Sequence, residues 1–469
     1  MSSNPNSYGA RDAKVSLHPY TNARELEKDG PLVIERGKGI YVYDDQGKEY
    51  IEALAGLWSV GVGFSEERLV NAATEQLRKL PYYHNFMHRS HPPSIEVAQR
   101  LVAMSPERLQ RVFFCNSGSE ANDTVVKLVW YYNNAIGRPK KKKIISRMRA
   151  FHGVTVMSAS LTGLPANQVD FDIPVPGILH TGCPHYYRFG EPGESEEEFS
   201  SRLAGELEAL ILREGPDTVA AFIGEPVMGA GGVMVPPRTY WQKIQAVCRK
   251  YDLLVIADEV ITGFGRTGNM FACETFGIDP DMMVVSKQLT SSYQPLAAIL
   301  ISDQVYQGVA DNSAKYGGFG HGFTTGGHPV ATAVALENLK IIDERDLVGN
   351  VRRVGPRLQE GLRKFADHPI VGEVRGVGLI AAVELVKDKK TKKSFDPPGS
   401  ANGYLFNRAI EHGLLVRNSG EAISFCPPMI IEPAQIDEIL VRFGKALDDT
   451  YQWAIKNDPS LAPKIAKAS

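Results

Sequence analysis

Between residues 32 and 54 the segment "LVIERGKGIYVYDDQGKEYIEAL" alternates apolar and polar positions, broken at Gly37 and Gly39 and again at Asp45-Gln46-Gly47. A period of two interrupted by turn residues predicts a small antiparallel meander. The polar residues before it, about the first eighteen, read as a loose arm. From about residue 66 the period lengthens, and "EERLVNAATEQLRKL" and "PSIEVAQRLVAM" carry apolar residues at helical spacing. Short continuous apolar runs then alternate with helix-length segments: "RVFFC" (111–115), "KKIIS" (142–146), "VAAFIG" (219–224), "LLVIA" (253–257), "MMVVS" (282–286) and "LAAILI" (296–301). Strands apolar on both faces and separated by helices predict an α/β fold with a mainly parallel sheet covered on both sides. A helix starting near His328-Pro329 leaves this region. Beyond it "VGEVRGVGLIAAVELV", "NGYLFNRAIEHG" and "PAQIDEILVRFGKAL" predict a smaller α+β domain. The expected division is an arm and meander over 1–65 that join the small domain, a large domain over 66–331, and a small domain over 332–469.

In an open α/β sheet, ligands bind beyond the carboxyl ends of the strands, so the residues after each run are the candidates for chemistry. They are Asn116-Ser117-Gly118-Ser119-Glu120, Phe151-His152-Gly153, Glu225-Pro226, Asp258-Glu259 and Lys287. A lysine at a strand end is ordinarily solvated, and "NSGSEAN" alone fits a capped turn as well as it fits a phosphate cradle. Together they narrow the choice. Small residues at a helix start let backbone N–H groups approach an anion. Asp258, ending an apolar strand, needs a partner for its charge, such as the protonated ring nitrogen of a cofactor, an arginine or a magnesium ion. No G-x-x-x-x-G-K-[ST] accompanies it, which removes a nucleoside-triphosphate site. An amine at Lys287 can form a Schiff base with an aldehyde. Phosphate cradle, buried aspartate, aromatic residue and lysine describe a site for pyridoxal 5′-phosphate (PLP).

Composition narrows the partners. Of 469 residues, 43% are hydrophobic and 23% charged, with a net charge of −2, so no basic excess points to nucleic acid. Lys140 to Lys143 read as a solvated turn. The five scattered cysteines, with no C-x-x-C pair, suit a reducing cytosol better than disulfides or a zinc site. "MSSNPNSYGARDAK" lacks the pattern of a signal or transit peptide, and no apolar run reaches membrane-spanning length. The expectation is a soluble cytoplasmic enzyme without a metal and without a nucleic-acid or membrane partner.

The chain resembles the class III aminotransferases of PLP fold type I, in the amine or ω-amino-acid:pyruvate branch. The resemblance runs from about Leu32 to Lys445 through "NSGSEANDTVVKL", "FHGVT", "GEPVMGAGGVMVPP", "DEVITGFGRTG", "SKQL" and "HGFTTGGHP". It implies an aspartate-aminotransferase-like fold with a seven-stranded sheet in the large domain. Lys287 would carry the cofactor and move the substrate proton, and Asp258 would keep the pyridine nitrogen protonated. Ser117, Gly118 and Ser119 would bind phosphate. Phe151 would stack on the ring where many relatives have tyrosine, with Val260 on the other side and Gly153 and Glu225 nearby. His152 reads as a satisfied structural histidine within that cofactor-binding segment. Thr324 would reach the phosphate of a neighbouring subunit, which implies a homodimer or a dimer of dimers.

On the substrate side the resemblance places Leu57, Trp58, Phe86, Phe151 and Ala230 around apolar pockets and makes Arg417 a mobile partner for a carboxylate. The expected reaction passes an amino group from a primary amine or ω-amino acid to pyruvate or a similar keto acid. A PLP-dependent aminomutase or decarboxylase would share the same motifs, and a PLP-binding regulator would need a DNA-binding segment that is not visible. Apolar pockets discriminate poorly, so aliphatic and benzylic amines, β-alanine, taurine and diamines all stay open as donors.

Overall fold

The computed structural model describes residues 6–462. The arm is more ordered than its polarity predicts. A helix over Tyr8–Val15 forms because Ser7 caps it, its hydroxyl accepting from Ala10 N–H, although the helix buries no residue. The meander follows as β1 (Ile34–Lys38), β2 (Tyr41–Asp44) and β3 (Glu49–Glu52), antiparallel throughout.

Each apolar run becomes a strand of one sheet: β4 (Leu109–Cys115), β5 (Lys143–Arg147), β6 (Ile178–Thr181), β7 (Val219–Gly224), β8 (Leu254–Asp258), β9 (Met282–Val285) and β10 (Ala297–Ser302). The seven strands lie in the order β4-β10-β9-β8-β7-β5-β6, and β10 alone is antiparallel to its neighbours. β6 has no counterpart among the apolar runs. It is a four-residue edge strand, "ILHT", whose two middle residues are only half-buried, so it carries little apolar signal. In the centre, alternate side chains feed opposite cores. Val255, Ala257, Met283 and Val285 pack into one cluster, while Leu254, Ile256, Met282 and Val284 pack into another. The sheet is thus sealed on both faces, and its polar groups are exposed to ligand only at the strand ends.

The C-terminal part adds β11 (Val371–Val377), β12 (Ile380–Leu385), β13 (Leu414–Leu415), β14 (Arg417–Ser419) and β15 (Ala422–Phe425). β11, β12, β15 and β14 form an antiparallel sheet, and β13 pairs in parallel with β3, Leu415 opposite Glu52. The meander and the C-terminal segment therefore share a sheet. Among the described residues no helix is long and apolar enough to cross a membrane, and all five cysteines are free and buried.

A buried ionic cluster fastens the C-terminal sheet to the loop after β7. Arg375 donates through Nη2 to Gly232 O (2.7 Å) and through Nε to Gly232 O (2.9 Å) and Val233 O (3.2 Å). Its Nη1 pairs with Glu373 (2.6 Å) and Glu384, and Arg188 also pairs with Glu384. His185 Nε2 lies 2.8 Å from Glu373 Oε2. Both arginines already neutralise these carboxylates, so the cluster of His185, Glu373 and Glu384 serves as a clamp. Breaking a buried pair leaves charge uncompensated. Arg375→Ala is expected to cost about 3 kcal/mol of stability, read as a lowered urea or thermal midpoint; an unchanged midpoint would show that the clamp contributes nothing.

Candidate functional site

Beyond the carboxyl ends of β5, β7, β8 and β9 the chain leaves a cavity of about 120 Å³. Gly118, Ser119, Phe151, His152, Gly153, Glu225, Asp258, Val260 and Lys287 all line it, as the strand-end argument anticipates.

One end is built for an anion. The helix Gly118–Ala135 starts at Ser117, whose hydroxyl accepts Glu120 N–H (3.2 Å) and whose carbonyl accepts Ala121 N–H (3.0 Å). The N–H groups of Gly118 and Ser119 are left without an acceptor among the described residues, at the positive end of an eighteen-residue helix. Ser117 itself caps and does not line the cavity, so its contribution is to shape the helix start. Ser119 Oγ accepts Val154 N–H (3.1 Å), which draws the 151–155 segment onto the helix. Gly153 permits that approach: its φ is 138°, and a Cβ there would lie 2.4 Å from Ser158 Oγ and 2.5 Å from Ser119 Oγ.

The floor of the site is Asp258, 4% exposed at the end of β8. Asn122 Nδ2 donates to its Oδ2 (2.9 Å), His152 Nδ1 lies 2.7 Å from the same oxygen, and Val260 N–H donates to Oδ1 (3.1 Å). A carboxylate accepts only, so His152 must carry its proton on Nδ1. Asn122 also donates to His152 O (2.7 Å), which fixes all three groups together. His152 is thus a partner of Asp258, beyond the satisfied core histidine the sequence suggests. Glu225, also 4% exposed, accepts Phe151 N–H on Oε1 (3.0 Å) and Gly229 N–H on Oε2 (2.9 Å). It ties the aromatic residue to the loop holding Ala230. Burial pushes the Glu225 carboxyl up, opposed by His152.

Lys287 follows β9 in a left-handed conformation (φ 45°) that turns its side chain into the cavity. Burial lowers its pKa to about 8, opposed by Asp258 and Glu225. No described residue hydrogen-bonds to Nζ, so its proton and lone pair are available to a ligand. An anion cradle, a fixed carboxylate and an unpartnered amine around one cavity match the phosphate, ring nitrogen and aldehyde of PLP.

The proposed substrate residues lie elsewhere. Leu57 is 56% exposed, Phe86 is 40% exposed beside Gly322, and Ala230 is half-buried next to Gly229. Trp58 is 1% exposed and shares an apolar cluster with Ile261 and Cys426. Arg417, on β14, has no carboxylate partner among the described residues; its Nε is buried without an acceptor, burial lowers its pKa, and its charge is felt at Lys287. Thr324 is exposed and outside this cavity, its carbonyl accepting from Tyr82 OH (2.7 Å). Asn122, Ile261 and Ser286 line the cavity although sequence reasoning did not single them out. For Asn122 a signal existed: it lies one helical turn beyond Gly118, on the same face.

Comparison with known proteins points the same way. The family described as aminotransferase class-III matches residues 23–447. A γ-aminobutyrate transaminase 3, chloroplastic, of Solanum lycopersicum is 53% identical over 92% of this chain and 84% of its own length. The solved ω-transaminase from Pseudomonas jessenii in complex with PMP is 63% identical, with a TM-score of 0.95 over 95% of this chain and 99% of that one. A thermostable ω-transaminase variant, W58M/F86L/R417L, engineered for asymmetric synthesis of enantiopure bulky amines, is equally similar, at 63% identity and a TM-score of 0.95 over 95% of this chain and all of that one.

A lysine whose folded pKa lies below its free value favours the neutral, nucleophilic amine, whose fraction grows as pH rises through the folded pKa. Capture of PLP by the cofactor-free protein is therefore expected to accelerate as pH rises through about 8, followed by absorbance. Lys287→Ala should trap no cofactor on borohydride reduction. A flat profile, or covalent labelling of the variant, would contradict the assignment.

Proposed function

From the premise that the chain belongs to the class III aminotransferases, PLP-dependent enzymes of fold type I, we propose that it passes an amino group from a primary amine or ω-amino acid to pyruvate or a similar keto acid. The observation that carries this reading is Arg417, a half-buried guanidinium whose Nε is buried without an acceptor and which has no carboxylate of its own among the described residues, close enough to Lys287 to be felt there. One site must accept a carboxylate in one half-reaction and an apolar substituent in the other. A long arginine can pair with the carboxylate bidentately and withdraw when the donor is uncharged. The name of one relative supports an ω-amino acid as donor, and that of an engineered variant of another gives bulky amines as what it is used to synthesise.

When bound, PLP supplies an electron sink for the carbanion formed at the amine carbon. The chain supplies everything else. The free N–H groups of Gly118 and Ser119 hold the phosphate. Asp258, oriented by Asn122 and His152, would hold a proton on the ring nitrogen, and Phe151 and Val260 would bind the ring. With the cofactor held, Lys287 Nζ would take the proton from the substrate carbon, hold it and give it up again, a task suited to an amine titrating near 8. Trp58, Leu57, Phe86 and Ala230 bound the donor's substituent. Thr324, exposed and outside its own cavity, acts across a homodimer interface. The separated, buried cysteines suit a reducing compartment such as the cytoplasm.

Incubated with pyruvate and a panel of amines that includes γ-aminobutyrate, the purified protein is expected to form alanine in step with the carbonyl product. Carbonyl or carbon dioxide release without alanine would favour a decarboxylase, and a rearranged amine would favour an aminomutase. Arg417→Ala is expected to slow the half-reaction with pyruvate on the order of a hundredfold, from the loss of roughly 2 to 3 kcal/mol of charge-assisted hydrogen bonding. The half-reaction with an uncharged amine should change little. Stopped-flow of each half-reaction checks this, and equal losses in both would give Arg417 a structural role.

A further inference from the structure

Glu52, at the end of β3, is a buried carboxyl that the reaction above does not use. It is 8% exposed, and no arginine or lysine neutralises it among the described residues. Its Oε1 accepts Leu54 N–H (2.9 Å), and Gly56 N–H points at the same carboxylate. These two donors open a turn that the chain would not adopt by preference: Ala55, Gly56 and Trp58 have φ of 51°, 68° and 65°. Leu54 O and Ala55 O are already satisfied, the first by Trp58 N–H (2.9 Å) and the second by Ser59 and Val60 N–H. Trp58 Nε1 is buried without an acceptor, so the indole is held by apolar packing alone. Non-glycine residues in the left-handed region persist only where their surroundings impose them, and here the imposing group is an isolated carboxylate.

An unpaired buried charge is expensive. A glutamine would accept a backbone N–H in a purely structural turn without burying a charge. We propose that Glu52 is a positioning residue for the donor side of the site, holding the turn Leu54–Trp58 in the shape that presents Leu57 and seats Trp58. The proposal rests on the reading of Leu57 and Trp58 as donor-pocket residues. The charge state of Glu52 has consequences in the working range, because burial raises its pKa to about 7. Above that value both oxygens accept; below it one oxygen becomes a donor and the turn loses part of its hold. Cys426 faces Glu52 from the segment after β15, its N–H bonded to Ala53 O (2.7 Å), and Arg266 and Lys287 face Cys426 in turn. Burial raises the Cys426 thiol, so it stays neutral across this range.

The test compares Glu52→Gln, which keeps an acceptor and loses the charge, with Glu52→Leu, which loses both. It uses the holoenzyme and reads Trp58 emission and acrylamide quenching by difference against Trp58→Phe, along with KM and kcat for each substrate. For Glu52→Leu the expectation is easier quenching of Trp58 and a rise of about tenfold in KM for apolar amine donors, with the pyruvate half-reaction and cofactor retention unchanged. Glu52→Gln should recover most of that loss near neutral pH. It should also abolish the increase in donor KM, relative to wild type, as pH falls below about 7. Titration of Lys287 and of the donor itself is common to both proteins, so the difference isolates Glu52. Wild-type quenching and donor KM in Glu52→Leu would overturn the proposal, and so would an equal loss in the pyruvate half-reaction. Should Glu52→Leu fail to fold, matching pH profiles for Glu52→Gln and wild type would overturn it. If no amine serves as donor even for the wild type, the functional reading fails, while the quenching comparison still decides the link between Glu52 and its turn.

Discussion

A charge cannot rest at the end of a fully apolar strand without partners, and the site is arranged around the carboxylate of Asp258. β8 is buried along its whole length because its alternate residues feed the cores on both faces of the sheet. Its last residue must therefore find hydrogen bonds locally or stay uncharged. Asn122 and His152 meet that need from two different segments, and Asn122 also grips the His152 carbonyl. The helix Gly118–Ala135 and the segment that holds Phe151 are thus fixed by the same carboxylate.

Elsewhere the charges divide into two groups. Those that hold the architecture are paired: Arg375 and Arg188 with Glu373 and Glu384 clamp the C-terminal sheet to the loop after Glu225. Those that line or face the reacting region are not. Among the described residues Lys287 Nζ has no hydrogen bond, Arg417 has no carboxylate, and Glu52 has no cation. Buried groups without partners cost stability, and Lys287, which lines the cavity, is placed as a site group is when its ligand is to provide the missing interaction.

The backbone shows the same division. Lys287, Ala55 and Trp58 adopt left-handed conformations unusual for their residue types; the first lines the cavity, and the other two belong to the turn held by Glu52. Gly153 is different: there the shape is imposed by contact, since any side chain would strike Ser119 and Ser158.

Much of this was legible in the chain. The apolar runs marked six of the seven central strands, because a strand buried on both faces must be apolar throughout. The residues after those runs marked Gly118, Phe151, Gly153, Glu225, Asp258 and Lys287, because a sealed sheet leaves only its strand ends for chemistry. β6 escaped because an edge strand need not be apolar, and the Tyr8–Val15 helix escaped because it rests on a cap and buries nothing. What only the tertiary structure decided is which groups have partners. Hydrogen-bond satisfaction depends on residues far apart in sequence, such as Asn122 with Asp258 or Arg375 with Gly232. A sequence names the polar groups; folding determines which charges are left without an opposite charge among the described residues, as Arg417 and Glu52 are here.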